Sequence, residues 1–519
     1  MAKSYNNKIL LIYLTKSVGI ITGFLSMLMV VPKLTSNPDI YGIYTVCISL
    51  SMFFSYADLG FLAAGQKYAA EFFAQKNLNK EMRVIGFVLF FLGIFMLLSS
   101  IILLFVAYNP AILIKSNNVN DLAISSKLLT ILALSSIVIL LQRFNSLVYS
   151  IRIEDYIYQS IDVAANLLKI LSIQFFITKN TYDIVGYFFT IQILSLFSSM
   201  LSVAIATKKY NYNIKQFLSY FRFSKEMYIL TKTLAFSSLL TTIAWILYFE
   251  LDAVILSTFY GVKIVAMYAI GFTFLSFTRN LYNTIYSPFL SRFNHFVGDN
   301  DDEGLYQTFR FLIKVTFPLC IIPPMVLIFY MKNIVVTWVG YDYLSSIFIC
   351  QLFLITTALT GLSIPIGYMI IAKSQNTILR INAIILPVIF YTSLAVLNFY
   401  VGERSLAIAK VITIFCSLIL VLYFIHKILG SKILKFYKEA TKTILLPILS
   451  MAIIFWLLPN SQNIEPKTFN AYYTLAWNII PALLIPLLVY YLMETQTRVF
   501  VFTGLTNTFK SLKFRYTNA

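Results

Sequence analysis

Apolar runs of about twenty residues recur along almost the whole chain, separated by short polar stretches. They fall at 9–31, 41–60, 84–107, 124–150, 161–178, 184–206, 229–259, 263–290, 311–337, 344–372, 376–400, 403–426, 441–458 and 471–493. Twenty helical residues at about 1.5 Å each cover roughly 30 Å, the hydrocarbon thickness of a bilayer, so each run predicts a membrane-crossing helix. The fifth run carries Lys169 at its middle and the seventh is unusually long, which makes these two the least regular. One such run could be a buried helix of a soluble core, but fourteen in series leave too few polar residues to enclose them. The expected fold is an all-α polytopic membrane protein with about fourteen transmembrane helices. The outside loops are short, the longest about sixteen residues, so no soluble catalytic domain is expected.

The pattern repeats. A shift of about 224 residues lays runs one to six on runs seven to twelve, placing 84–107 on 308–331, 124–150 on 348–374 and Tyr44 on Tyr268. Six crossings is an even number, so the two halves share one orientation, as two parallel six-helix lobes with a site between them: a transporter architecture. The expected organisation is an N-lobe over 1–206, a basic cytoplasmic linker over 207–228 and a C-lobe over 229–428. An added helix pair with a basic tail fills 429–519. The stretch 67–83 reads equally as an amphipathic helix on an anionic leaflet or as a solvated loop.

Composition agrees with the pattern. Of 519 residues 59% are hydrophobic and 12% charged, about half the charge of a soluble protein. The net charge of +19 would suggest nucleic acid in a soluble chain. Here it follows the positive-inside rule: with a cytoplasmic N-terminus, 24 Lys/Arg fall in inside segments and seven in outside loops, so both termini are read as cytoplasmic. No nucleic-acid partner is expected. Lys3 and Lys8 precede an apolar run as in a signal peptide, but the run is too long, contains Lys16 and lacks a small-x-small site, so it reads as a retained first helix. Cys47, Cys320, Cys350 and Cys416 lie apart inside apolar runs and the two histidines, His295 and His426, near helix ends, so no metal site is expected.

Ionisable groups in hydrocarbon cost about 2.5–3.5 kcal/mol on insertion scales, so those inside the runs are candidates for function. They are Lys16, Asp58, Arg143, Lys169, Glu250, Asp252, Arg279 and Lys410. Arg279 lies mid-run, and its forked, permanently charged guanidinium suits phosphate oxygens; its repeat counterpart is Ser55. Lys410 lies opposite Gly186 in the repeat, about two turns into its helix. A cavity-facing role, an ion pair or snorkelling of the stem are the readings open to these cations. Glu250 and Asp252, two apart, point about 200° apart on a regular helix and do not share one cavity. Either could pair with a cation or carry H+ or Na+ coupling. Arg143 and Asp58, near run ends, read as gate or capping residues. Tyrosines at run ends read as an interface belt, or as platforms for sugar rings. No P-loop, dinucleotide glycine set or nucleophile elbow occurs, so neither an ATP-driven machine nor an enzyme is expected.

Tyr41-Gly42-Ile43-Tyr44 and then Asp58-Leu59-Gly60 at the end of the second run resemble the N-terminal pattern of Wzx-type O-antigen flippases. The pattern restarts with Leu251-Asp252-Ala253-Val254-Ile255-Leu256-Ser257, Gly261 and Tyr268-Ala269-Ile270. With the repeat, these residues are similar to the multidrug/oligosaccharidyl-lipid/polysaccharide exporter superfamily over about 8–428. The resemblance implies alternating access that carries an undecaprenyl-pyrophosphate-linked sugar repeat unit from the cytoplasmic to the periplasmic leaflet of a bacterial inner membrane. It implies Arg279, Lys410 and Lys16 as cavity cations for pyrophosphate and acidic sugars. The lipid-linked oligosaccharide and membrane lipids are the implied partners, with a polysaccharide polymerase and a chain-length regulator beside them. Many members have twelve helices; the lipid II flippase branch has fourteen, the extra pair forming a groove for the lipid tail. The competing expectations are an ion-coupled multidrug or metabolite exporter of the same superfamily, and a membrane-embedded polysaccharide polymerase.

Overall fold

In the computed structural model the described residues are 2–56, 60–116, 118–373, 375–429, 432–458 and 465–494. The chain forms two compact units, Met1–Ala269 and Ile270–Ala519. The first opens with α1 (Ala2–Met29), α2 (Val31–Leu34), α3 (Pro38–Tyr56), α4 (Phe61–Ala74) and α5 (Leu78–Tyr108). It continues with α6 (Val119–Leu134), α7 (Ser136–Ile151), α8 (Asp155–Phe176), α9 (Ile184–Lys209), α10 (Ile214–Tyr220), α11 (Lys225–Trp245) and α12 (Asp252–Tyr260). The long helix α13 (Val262–Gly298) starts there and runs on into the second unit. That unit holds α14 (Asp302–Phe329), α15 (Met331–Trp338), α16 (Ser346–Ala372), α17 (Asn376–Val401), α18 (Ser405–Leu429), α19 (Lys432–Thr443), α20 (Leu445–Leu457) and α21 (Phe469–Met493).

Among the described residues, 11 helical stretches are long and apolar enough to cross a membrane. One of them, Arg380–His426, is two helices, α17 and α18, turned at Gly402–Arg404. The shorter apolar helix Pro38–Phe54 and α8, which at 22 residues is long enough to cross though less apolar, fall on the two remaining runs of the fourteen expected. Asp155, Asp162 and Lys169 lower the hydropathy of α8, which is why it read weakly. Large side chains turn outward along these helices, among them Phe105 at 69% exposed and Phe399 at 87%. In water such a surface would aggregate; against acyl chains it is solvated. The protein is a multi-pass membrane protein.

The repeat reaches down to single caps. α5 and α14 start at 78 and 302, and α3 and α13 at 38 and 262. Asn77 caps α5 by accepting from the Lys80 backbone N–H at 3.1 Å, and Asp301 caps α14 by accepting from that of Gly304 at 2.8 Å. The residue before each cap is left-handed, Lys76 at φ 56° and Asn300 at φ 55°. A side-chain acceptor for an orphan N–H is the usual way to start a helix, and here both copies of the repeat use it at the same register.

The compact units divide inside α13 and not within 207–228. The reason is that α11 packs on α4, and the stretch leading into α12 packs on α3. Part of 207–228 is itself helical: α10 folds against α5. The 61–83 stretch is α4, a tight turn, and the start of α5. The C-terminal pair is pinned to α14 at both ends. Arg310 and Lys314, one turn apart, bind Glu439 and Glu494, each at 2.7 Å. At the other end Phe329 stacks on Phe455 with ring centroids 3.8 Å apart, and the Tyr330 hydroxyl donates to the Leu458 carbonyl at 2.6 Å.

Candidate functional site

The acids of the first unit sit at a break in helical geometry. After α11 the backbone makes a π-helical turn, Ile246–Glu250, before α12 begins at Asp252. Such turns insert a residue into the ladder and frequently mark functional positions. The turn also removes the premise that put Glu250 and Asp252 on opposite sides of one regular helix: both are buried, at 7% and 2% exposed. The Tyr268 hydroxyl donates to Asp252 Oδ2 at 2.5 Å, Tyr248 is fully buried nearby, and Trp245 and Tyr248 pack on Phe249. Gly42 of α3 allows this close packing, because a Cβ there would land on the Val262 carbonyl. A carboxylate held by a phenol among aromatic rings is an arrangement that can take up and release a proton or a small cation.

The other candidates of the first unit sit on the wall formed by α1, α7 and α8. Lys16 is exposed on α1, and its charge acts on Asp155 at the start of α8. Arg143 of α7 is half-buried and acts on Tyr158 of α8. Lys169 donates to Asn166 Oδ1 at 3.0 Å, and Asn166 donates to Asp162 Oδ2 at 3.1 Å, making a polar stripe along α8. Asp58 lies outside the described residues.

In the second unit, Lys410 is fully buried on α18, with its ammonium 4.8 Å from the centre of the Phe390 ring on α17. Its stem therefore does not carry the charge to the surface, as snorkelling would. Arg279 is half-buried on α13. Two turns on, α13 is locked to its neighbours: Tyr286 donates to the Gly361 carbonyl at 3.0 Å and lies 3.4 Å from Cys320 Sγ. Gly361 is required there, since a Cβ would stand 2.6 Å from that sulfur.

Two charge networks escaped the sequence reading. In the first unit Arg152 Nη2 binds Glu81 Oε1 at 2.6 Å, with both side chains buried, and the Tyr212 hydroxyl donates to the same carboxylate. The guanidinium lies 4.3 Å from the Tyr210 ring centre and 4.7 Å from that of Phe73. Beside it Glu154 takes Lys8 at 2.7 Å, Lys209 at 2.6 Å and the Tyr210 hydroxyl at 2.6 Å. Burial pushes the Glu154 carboxyl up, but these hydrogen bonds outweigh it and hold it down at about 2. The second is the Lys314–Glu494 pair. The one available signal was scarcity: a chain with only 21 acids places Glu81, Glu154 and Glu494 beside apolar runs.

Among the described residues, 11 helical stretches suited to crossing a bilayer, with charged side chains buried among them, define a multi-pass membrane protein. The chain matches no protein-family profile and no curated protein sequence. Its fold is shared with a solved lipid flippase and with solved transporters of the MOP superfamily. The lipid II flippase MurJ in an inward-closed conformation is 15% identical, and the likeness covers 94% of this chain and 99% of that one at a TM-score of 0.65. An inward-facing multidrug resistance MATE family transporter of the MOP superfamily is 14% identical over 80% of this chain and 96% of its own, at 0.60. A MOP superfamily transporter from Pyrococcus furiosus, described as having a binding pocket of reverse polarity, is 13% identical over 82% and 96%, at 0.54.

Proposed function

We propose that this chain is a flippase that carries undecaprenyl-pyrophosphate-linked oligosaccharide repeat units, of an O-antigen or similar surface polysaccharide, by alternating access. The direction is from the cytoplasmic to the periplasmic leaflet of a bacterial inner membrane, with both termini in the cytoplasm. The observation that carries the reading is the extent of the fold likeness. A lipid flippase takes in 94% of the chain, whereas the two MOP transporters take in 80% and 82%. The difference is comparable in size to the segment from α19 to α21, the pair expected to accommodate a lipid tail.

The chemistry is consistent. A pyrophosphate and several sugars are costly to bring into hydrocarbon unless polar groups replace their hydration. Lys410 and Arg279 are cations already placed inside the membrane, with Lys16 a third on α1. Asp252 and Glu250 are the groups for H+ or Na+ coupling. A second reading, an ion-coupled exporter of cationic drugs or metabolites, draws on that same buried acid cluster.

Deletion of the gene separates the two. The flippase reading expects lipid-linked repeat units to accumulate on the cytoplasmic face and surface polymer to disappear. Normal surface polymer together with new sensitivity to cationic drugs would replace it with the exporter reading.

A further inference from the structure

The end of the first unit that charge counting assigns to the cytoplasm contains two cavities linked through one hydrogen bond, Tyr212 to Glu81. One, an open pocket of about 340 Å³, carries the charged side chains of Lys76, Glu81, Arg152 and Lys209 in its lining, beside Tyr210 and Asn211. The other, also about 340 Å³, presents only carbon and is lined by Leu140, Leu141, Phe144, Val203, Tyr212 and Phe217 among others. Tyr212 joins them: its ring faces the apolar cavity, while its hydroxyl is bonded to Glu81, which lines the charged one.

The charged cavity is electropositive. Lys76, Arg152 and Lys209 line it against Glu81, a formal excess of two positive charges. Arg152 spends two of its five N–H donors on Glu81 and the Val148 carbonyl. Its side chain is 7% exposed and held flat between rings, so it is already ordered for an anion. The apolar cavity offers water no hydrogen-bond partner, and a cavity of that kind stays dry or takes up hydrocarbon. α10, amphipathic and outside the crossings, contributes Ile214, Phe217 and Leu218 to its wall.

We infer that this end of the first unit is a binding site for an anionic phospholipid, with the headgroup phosphate in the Arg152 cavity and an acyl chain in the Phe144–Phe217 cavity. Neither cavity alone specifies a lipid; side by side, they match one amphiphile. Anionic lipids are drawn to basic segments next to the membrane by about 1 kcal/mol per Lys or Arg. This site additionally fixes the phosphate on a buried cation. All of its residues belong to the first unit, and its occupancy would tie α10 to α5.

Native mass spectrometry of the full-length protein, extracted from vesicles of phosphatidylcholine with a minor share of phosphatidylglycerol, tests this. The expected result is preferential retention of one phosphatidylglycerol. Lys76→Asn, which removes a charge and keeps a residue that tolerates the left-handed backbone there (φ 56°), should lower retention about fivefold. Val203→Phe, which fills the apolar cavity, should lower it as well. A melting temperature within a few degrees of wild type shows that each variant is folded. Equal retention of both lipids, or retention unchanged in both folded variants, overturns the site. Inorganic phosphate at millimolar concentration should not displace the lipid; if it does, the site is one for free phosphate and the lipid assignment fails.

Discussion

The stretches Pro38–Ala74 and Val262–Gly298 begin 224 residues apart, in matching places of the repeat, and yet one is two helices and the other is one. Gly60 makes the difference. It sits at φ 78°, and a Cβ there would press on the Ala235 carbonyl and stand 2.9 Å from the Leu239 nitrogen. Glycine alone takes that conformation without strain and leaves room for the neighbouring backbone. Its counterpart, Thr284, lies within uninterrupted helix. Charge divides the copies in the same manner: Ser55 and Gly186 of the first match Arg279 and Lys410 of the second. A scaffold that folds with serine and glycine at these places does not need cations there. A buried lysine in a membrane helix is costly; Lys314 offsets that cost through its pair with Glu494, and Lys410 is proposed to offset it by receiving the substrate's phosphates.

The largest effect expected from breaking this asymmetry comes from Lys410. Lys410→Glu should abolish export of surface polymer. Lys410→Met, which keeps the length and removes the charge, should reduce export about 10–100-fold, the worth of one charge-assisted contact to a phosphate. Protein level in the membrane should remain unchanged in both, as judged by immunoblot of membrane fractions. Arg279→Ala should act in the same direction; export unchanged in that variant would reassign Arg279 to a structural ion pair.

A smaller effect, on stability, sharpens the backbone half of the comparison. Gly60→Ala should destabilise by about 1–3 kcal/mol, because the new Cβ meets backbone and the left-handed φ is strained. Thr284→Gly should cost no more than about 1 kcal/mol, the propensity loss in a helix. Thermal unfolding in detergent compares them, and equal shifts would mean that the break at Gly60 is not what the glycine is for.

The smallest effect is in pH. Glu154 is held at about 2 in the folded protein, against about 4.3 when unfolded. Its contribution to stability is therefore complete above about pH 4.3 and is lost as the pH falls towards 2. Glu154→Gln should flatten the melting temperature across that window, while leaving it pH-dependent through other carboxylates.

Much of this was legible in the sequence. The runs at 184–206 and 403–426 became α9 (184–209) and α18 (405–429), because a twenty-residue apolar run has one stable solution in lipid. The 224-residue shift was visible in spacing and reappears in the caps Asn77 and Asp301. The π-turn at 246–250 was not legible, since it looks like ordinary helix in composition. α4 was legible in part: its polarity fits an amphipathic helix and a solvated loop equally, and only the fold, which packs it on α5, decides for helix. The Glu81–Arg152 pair lies 71 residues apart, and such pairings leave no local periodicity. Arg152 read as one more inside-loop charge until the fold laid it against Glu81 and three rings.

The proposed movement of a lipid-linked, phosphate-bearing sugar across the bilayer can be measured by reconstitution. Purified protein in sealed vesicles, supplied with an isoprenyl-pyrophosphate-linked fluorescent oligosaccharide in both leaflets, would be probed with a membrane-impermeant glycosidase. Protein-containing vesicles should expose nearly all of the label to the enzyme, and vesicles with the Lys410→Glu variant only the outer half. Exposure of half the label with the wild-type protein, under every imposed H+ or Na+ gradient, would contradict the account.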